Sequence, residues 1–189
     1  MSYTLNKEKT ALVVIDLQKG IVTRDTKPYP SNKVVENSKQ IANKFRKNSM
    51  HVFLVHVTFS VDGKDRLNPI TDNTQSMGTF NPDWADFFSE IGPEAGDYII
   101  TKRNWGAFYG TDLELQLRRR GIDTIVLTGI STNFGVESTA RNAYEMGFNI
   151  IFVEDATSSF TEEAHNFPYK YIFPRIGLIR NTDEILKML

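Results

Sequence analysis

The sequence contains no cysteine among its 189 residues. This absence excludes disulfide bonds, thiolate metal sites and a thiol nucleophile. No run approaches the roughly 18 apolar residues of a membrane span, and the first residues lack the apolar core of a signal peptide. We therefore expect a cytoplasmic protein with no membrane partner. A large charge of either sign is also missing, since the formal net charge is -1 and the pI ≈ 6.3, which gives no general attraction to nucleic acid.

The length and composition fit one domain. Of the 189 residues, 40% are hydrophobic and 24% are charged, which is enough apolar material for a substantial core. We expect a single domain over residues 1–189. The basic run at residues 118–120 ends a predicted helix, where cations stabilise the helix dipole, so we interpret it as a solvated cap and not as a nucleic-acid site.

Apolar runs alternate with segments of helical periodicity along the chain. The predicted strands are residues 11–16, 51–57, 98–102, 124–128, 149–153 and 176–179. The predicted helices run from an N-cap at Ser31 to about 48, from about Thr111 to Gly121, from capping oxygens at 131–133 to Gly147, and from Thr182 onward. This alternation predicts a three-layer α/β/α domain with a doubly wound, mostly parallel, Rossmann-like sheet of about six strands.

Residues 123–159 form the unit around which the chain is organised. They predict a buried strand, a tight turn at 130–135, a helix and a second buried strand. Such a β-α-β unit crosses over right-handed, so the turn opens at the carboxyl edge of the sheet beside a helix N-terminus. Because open α/β sheets bind ligands at that edge, we place the active site there.

Asp16 and Lys102 close two other predicted strands and so belong to the same edge. A charged side chain at the end of a buried strand needs a partner, and these two can partner each other. Taken singly, Asp16 also fits a turn cap and Lys102 also fits a side chain that extends to solvent. As a pair they suit general acid-base chemistry or an ion pair that fixes two strands, and spacing alone leaves both readings open.

The chain resembles the isochorismatase-like hydrolases, also called the cysteine hydrolase family. The resemblance covers nearly the whole chain and rests on ALVVIDLQ (11–18), KRNWGAF (102–108), the long stretch 109–148 that contains GTDLELQLRRRGI and TNFGVESTARNA, and VEDATSS (153–159). It implies a doubly wound α/β domain, commonly a homo-oligomer (dimer or tetramer), that hydrolyses a small-molecule substrate. It implies no cofactor for this chain.

Most members of that family use a catalytic triad of Asp, Lys and Cys. The resemblance assigns the Asp to Asp16 and the Lys to Lys102, and it places Gly135 at the position of the nucleophile. Glycine has no side chain, so thioester chemistry cannot run at this site. The nearby hydroxyls, at Ser131, Thr132, Ser138 and Thr139, fit helix-cap or helix positions better than the role of a replacement nucleophile.

The isochorismatase branch of the family also lacks the thiol and hydrolyses a vinyl ether. In that reaction a carboxylic acid protonates the enol-ether carbon, water adds to the oxocarbenium ion, and the hemiketal collapses to pyruvate. By resemblance, Asp16 is the acid and Lys102 binds or orients the water or a substrate oxygen. Lys102 lowers the pKa of Asp16 whereas burial raises it, and the mechanism requires the second effect to win.

The resemblance also implies an oxyanion site and a set of substrate contacts. A non-proline cis peptide is expected at Ile130-Ser131, and the backbone oxyanion groups are expected at Ile130, Ser131, Phe134 and Gly135. The predicted substrate-binding residues are Gln18, Phe59, Arg66, Trp105, Phe108 and Asn133. Arg66 or Arg103 would pair a carboxylate. Phe108 fits the core as well as the pocket, and Phe80 and Trp84, in the predicted cover at 58–97, favour the core or a subunit interface.

Residues Thr132 and Asn133 complicate the assignment, because characterised isochorismatases carry an Ala-His pair in this turn. Three readings follow: an Asp/Lys hydrolase of isochorismate or a similar small carboxylate, a family member that has lost catalysis and binds a small molecule or protein, and a hydrolase with a substrate-assisted mechanism. A pocket filled by side chains, or an absent cis peptide, would favour the binding module.

No metal site is predicted. The nicotinamidase branch places an Asp and histidines after the second strand, and here His56 ends that strand with Asp62 beyond it. A lone histidine is more often a hydrogen-bonded residue at the end of a strand, which is our interpretation of His56. We expect His165, in a predicted loop at 162–166, to be exposed to solvent.

Overall fold

In the computed structural model, which describes residues 4–72 and 80–189, six strands form one sheet. The strands are β1 (Thr10–Ile15), β2 (His51–Val57), β3 (Tyr98–Lys102), β4 (Thr124–Ile130), β5 (Asn149–Ser158) and β6 (Leu178–Arg180). Their spatial order is β3-β2-β1-β4-β5-β6, and every neighbouring pair is parallel. The predicted doubly wound α/β fold is therefore confirmed. The strand order reverses between β1 and β4, which is where open α/β sheets bind ligands.

Helices cover both faces of the sheet. They are α1 (Lys19–Val22), α2 (Ser31–Lys47), α3 (Leu113–Arg119), α4 (Glu137–Glu145), α5 (Glu162–Tyr171), α6 (Phe173–Ile176) and α7 (Thr182–Met188). Helices α2 and α7 pack on one face, and α3 to α6 pack on the other. Every residue of β1 and β4 is buried, which explains why these strands are nearly continuous apolar runs and do not alternate.

Helix α5 begins where the sequence predicted a loop, at residues 162–166, and Ile176, where a strand was predicted to begin, is the last residue of α6. Thr161 caps α5 by accepting a hydrogen bond from the Ala164 N–H, and two acidic residues follow in the first turn. The helical signal was weak because Pro168 lies inside the helix and prolines normally end helices. The predicted exposure of His165 is wrong, since its side chain is fully buried.

The predicted helix caps at Ser31 and at residues 131–133 are also wrong. Ser31 is the first residue of α2, and its hydroxyl donates to the Arg24 carbonyl instead. Residues 131–133 precede α4 in a single π-helical turn, Thr132–Val136, and the Ser131 side chain makes no cap hydrogen bond there. By contrast, Gly147 ends α4 with a φ of 80°, as predicted.

Between β2 and β3 the described residues form turns and irregular backbone. Residues 73–79 of this predicted cover lie outside the described residues. The part after residue 80 returns to β1, where Phe87 forms an antiparallel bridge with Gln18. Within the described ranges, no helix is both long and apolar enough to cross a membrane.

Candidate active site

Asp16 and Lys102 form a buried ion pair at the carboxyl edge of the sheet. Lys102 Nζ lies 2.7 Å from Asp16 Oδ2, and both side chains are buried. Asp16 follows β1 and Lys102 ends β3, so the long lysine side chain reaches across the intervening β2. Asp16 has a φ of 53°, a left-handed conformation that aspartate tolerates better than most residues.

The Lys102 ammonium has all three of its N–H donors engaged. One donates to Asp16, and the others donate to the backbone carbonyls of Asn104, at 3.1 Å, and Trp105, at 2.9 Å. An ammonium has three donors and no acceptor. The expectation that Lys102 orients a water or a substrate oxygen therefore disagrees with its contacts, which fix Asp16 and the chain after β3.

Asp16 keeps one carboxyl oxygen without a partner. Asp16 Oδ1 is buried and makes no hydrogen bond in the described part of the chain. Burial raises the pKa of the Asp16 carboxyl above its ordinary value of 3.8, against the opposing charge and hydrogen bond of Lys102. The site therefore holds a carboxyl group that keeps its proton to higher pH than an ordinary aspartate does, and one of its oxygens makes no hydrogen bond to a described residue.

The turn after β4 approaches this carboxyl group from the other side. Gly129 has a φ of 121°, and a Cβ there would lie 2.0 Å from the Ile15 carbonyl oxygen, so only glycine permits this approach of β4 to β1. The cis peptide expected at Ile130-Ser131 is present. The π-helical turn Thr132–Val136 follows. Such turns are rare in proteins as a whole, and those that occur are often found at functional sites.

Gly135 faces the ion pair, as its family position implies. A Cβ added to Gly135 would lie 2.9 Å from Ile15 Cγ2, 3.0 Å from Asp16 Oδ2 and 3.6 Å from Lys102 Nζ. The first two contacts are tighter than ordinary packing and the third is an ordinary van der Waals distance, so Ile15 and Asp16 occupy part of the space that a side chain at this position needs.

Three of the predicted contacts have other roles. The Phe134 N–H donates to the Ser131 carbonyl at 3.3 Å, so it is engaged within the turn and is not a free oxyanion donor. The Gln18 amide is fully buried, donates to the carbonyls of Val57 and Trp84, and accepts from the Val57 N–H. Phe108 packs in the core beside Phe148. In this structure the Phe134 N–H, the Gln18 amide and the Phe108 ring are engaged by the protein itself, which disfavours their assignment as contacts to the substrate.

Other predicted contacts lie near the surface beside the site. Trp105 is 61% exposed and packs edge-on against Phe134, with ring centroids 4.8 Å apart. Asn133 Oδ1 accepts a hydrogen bond from Ser159 Oγ at 2.6 Å.

The cover forms a second aromatic group around Arg66. The Arg66 guanidinium carbon lies 5.1 Å from the Phe59 ring centroid and 4.8 Å from that of Phe80, and Trp84 stacks on Phe80. Arg66 Nε is buried and has no hydrogen-bond partner in the described part of the chain. Arg103 differs, because it pairs with Asp65 at 2.5 Å.

Both ring nitrogens of His56 are engaged in hydrogen bonds. Nδ1 lies 2.8 Å from the Ala85 carbonyl oxygen and Nε2 lies 2.8 Å from Thr101 Oγ1, which confirms His56 as a hydrogen-bonded residue at the end of a strand. Over residues 4–72 and 80–189, no group of three or more potential ligands could hold a metal ion.

Two residues that hold the turn were missed as site residues. Thr139 Oγ1 donates to the Gly135 carbonyl at 2.6 Å and accepts from the Ala107 N–H at 3.1 Å. His165 Nδ1 and Thr132 Oγ1 share a hydrogen bond of 2.9 Å. Thr139 stands in the quoted TNFGVESTARNA stretch, which was a signal for it, whereas His165 depends on the unpredicted helix α5.

A family model, two related sequences and a solved structure all indicate the same family for this chain. Residues 10–184 match the model of the isochorismatase domain. The chain is 53% identical to an uncharacterized isochorismatase family protein, YwoC, of Bacillus subtilis, with 100% of both chains covered. It is 50% identical to a second such protein, YecD, of Escherichia coli O157:H7, with 98% of each covered. The structure of an isochorismatase family protein from Burkholderia thailandensis superposes with a TM-score of 0.94 at 44% identity, covering 98% of this chain and 97% of that one.

Proposed function

This chain belongs to the isochorismatase family, whose members are small-molecule hydrolases, and on that premise we propose that it hydrolyses an enol ether. The substrate class is a small carboxylate such as isochorismate, the catalytic group is Asp16, and Lys102 positions it. The reaction proceeds without a covalent enzyme intermediate.

The unpartnered oxygen of Asp16 is the observation that carries this proposal. A general acid must hold a proton and must present it to the substrate. The raised pKa of Asp16 supports the first requirement. For the second, Oδ1 is the carboxyl oxygen that has no hydrogen-bond partner among the described residues. Lys102 holds the other oxygen, Oδ2, and so fixes the direction of the carboxyl group.

The chemistry follows in three steps. Asp16 transfers its proton to the terminal carbon of the vinyl group, which becomes a methyl group, and positive charge develops on the neighbouring carbon and the ether oxygen. Water adds to that carbon, and its released proton restores the acid form of Asp16. The resulting hemiketal collapses to pyruvate and the ring alcohol. The nearby Lys102 charge disfavours the cation, so the negative charge of the Asp16 carboxylate left by the first step is the local group that stabilises it.

The contacts around Gly135 disfavour the thiol reaction of the wider family. No cysteine is present to supply a nucleophile, and the Asp16 carboxyl lies where the Cβ of residue 135 would make contact at 3.0 Å. The pair of Asp16 and Lys102 therefore packs against the backbone of Gly135, where there is no side chain.

For substrate recognition we propose Arg66 and Trp105 as the main contacts. Arg66 makes no ion pair with any described residue and has a buried Nε without a partner, which suits it to pair a carboxylate. Trp105 and Phe59 supply flat apolar surfaces for a ring. We assign Asn133 a supporting polar contact, and the backbone of Ile130, Ser131 and Gly135 the oxyanion role.

Steady-state release of pyruvate from isochorismate tests the proposal. Wild-type protein should turn over, and Asp16→Asn should lose about 10²- to 10⁴-fold in kcat because it cannot donate the proton. In deuterated water the pyruvate methyl group should carry solvent deuterium. If the wild-type protein does not hydrolyse isochorismate, the proposal is contradicted, and a protein that binds a small molecule or a protein without catalysis becomes the better interpretation.

A further inference from the structure

His165 is a buried titratable side chain that the proposed reaction does not use. It lies on α5, is fully buried and shares a 2.9 Å hydrogen bond with Thr132 Oγ1 through Nδ1. Its other nitrogen, Nε2, has no partner in the described ranges. Burial lowers the pKa of His165 to about 4, so the ring is neutral at ordinary pH and carries one donor and one acceptor.

Thr132 connects this histidine to the active site. It is fully buried and begins the π-helical turn that ends at Val136. The same turn carries Gly135, whose Cα faces the Asp16 carboxyl group closely enough that an added Cβ would lie 3.0 Å from Oδ2. A movement of Thr132 therefore changes the backbone against which Asp16 packs.

The turn is held by side-chain hydrogen bonds at three places. Ser159 Oγ donates to Asn133 Oδ1 at 2.6 Å, and Thr139 Oγ1 donates to the Gly135 carbonyl at 2.6 Å. These two bonds hold the middle and the end of the turn. The bond between His165 and Thr132 holds its beginning.

Aromatic packing keeps the His165 ring in place. The ring of Tyr29 meets it edge-on at a centroid distance of 5.7 Å, and that of Tyr169 lies at 4.8 Å. Tyr169 is itself fixed by a 2.7 Å hydrogen bond between its hydroxyl group and Thr157 Oγ1. An imidazole confined in this way loses little further entropy when it bonds Thr132.

We propose that His165 is a positioning residue that acts through Thr132 to hold the 132–136 turn against Asp16. The effect on turnover rests on the proposed function of Asp16. Loss of the bond lets the start of the turn shift, and a displacement of about 1 Å at a reacting centre costs about 100-fold in rate. His165 does not touch the reacting atoms.

Four single variants and one double variant test this role. His165→Leu and Thr132→Val each remove the hydrogen bond, and each should lower kcat for isochorismate by about 10- to 100-fold. The double variant should lose no more than the worse single variant. His165→Asn should recover most of the rate, because its amide keeps a hydrogen-bonding atom near the position of Nδ1. Asn48→Ala is the control: it removes a 2.8 Å bond to the Lys44 carbonyl at the end of α2, at the amino edge of the sheet, and should keep the wild-type kcat.

Amide NMR spectra give a second readout that does not require activity. His165→Leu and Thr132→Val should shift the same amide resonances of residues 131–136, and Asn48→Ala should leave them unchanged. Unchanged turn resonances, additive losses of kcat, or no recovery in His165→Asn would each overturn the proposal. If wild-type protein releases no pyruvate, the proposed function fails, and the amide spectra still decide whether His165 holds the turn. Thr132→Val serves alone if His165→Leu does not fold.

Discussion

Two ion pairs, one buried and one partly buried, stand at opposite edges of the same sheet. Arg46, at the end of α2, binds Asp97, which precedes β3 at the amino edge. Its Nε lies 3.1 Å from Oδ1 and its Nη2 lies 2.7 Å from Oδ2. Asp97 also accepts from the Glu94 N–H, and Arg46 also donates to the Ile91 carbonyl. In the Asp16–Lys102 pair at the carboxyl edge, one carboxyl oxygen is left over.

The two ion pairs differ in how many of their hydrogen-bonding atoms have partners, and this difference separates the structural pair from the reactive one. The Arg46–Asp97 pair uses both carboxylate oxygens and a two-pronged guanidinium, which suits a permanent clamp between α2 and the start of β3. The Asp16–Lys102 pair satisfies the cation completely and the acid only in part. Both pairs combine opposite charges, but the Asp16–Lys102 pair is the more deeply buried, and its acid has an oxygen with no partner among the described residues; these two features together mark the site.

Exchanging the two carboxylates for amides should give the largest contrast. Asp16→Asn should lower kcat for isochorismate by about 10²- to 10⁴-fold, since it removes the proton donor. Asp97→Asn should destabilise the protein but leave kcat close to wild type at temperatures where the protein is folded. Parallel steady-state assays check both, and equal losses of kcat would break the comparison.

Removing the cation of the structural pair should cost stability without changing chemistry. Arg46→Met leaves the Asp97 carboxylate buried without its charge partner, which should lower the free energy of unfolding by about 3 to 5 kcal/mol. The matched control is Glu94→Gln, because the Glu94 side chain is 59% exposed and such pairs contribute about 1 kcal/mol at most. Urea denaturation measures both changes. A small effect of Arg46→Met would mean that the clamp is not structural.

His165 differs from the members of both ion pairs because it is a buried titratable group that is neutral at ordinary pH. Its pKa is lowered from 6.5 to about 4 in the folded protein, so as pH falls through this window the unfolded chain binds the proton first. The free energy of unfolding should therefore decrease between neutral pH and about pH 4, by up to about 3 kcal/mol from this group. His165→Asn should remove that part of the pH dependence, as judged by urea denaturation at both ends. An unchanged slope in the variant would show that His165 titrates normally.

Adding one methyl group beside the reactive pair should destabilise the protein less than removing Arg46 does. The Gly135→Ala methyl would meet Ile15 Cγ2 at 2.9 Å and Asp16 Oδ2 at 3.0 Å, and overpacking of this kind costs about 1 to 3 kcal/mol. Because Asp16 must move, kcat should also fall. Thermal denaturation and pyruvate release measure the two effects. Full activity in Gly135→Ala would show that Asp16 does not need its present position.

The sequence was sufficient to predict the sheet and the central pair. Buried parallel strands are nearly continuous apolar runs, so β1 and β4 could be predicted from the sequence. The rule that such strands share a carboxyl edge brought Asp16 and Lys102 together. The remaining errors at the site involve backbone groups whose positions the sequence pattern does not show. The Gln18 side-chain amide donates hydrogen bonds to the backbone carbonyls of Val57 and Trp84, which are 39 and 66 residues away. Lys102 is saturated by two carbonyls whose directions depend on the backbone after β3.

The most direct test of the central claim is a pH titration of the Asp16 carboxyl carbon by ¹³C NMR, with the signal assigned by its absence in Asp16→Asn. A buried acid with an unpartnered oxygen should titrate above the ordinary value of 3.8, despite the adjacent Lys102. A raised value would mean that Asp16 retains its proton at higher pH than an ordinary aspartate, as a general acid requires. A pKa at or below 3.8 would mean that the ion pair dominates and would contradict the role of Asp16 as the proton donor.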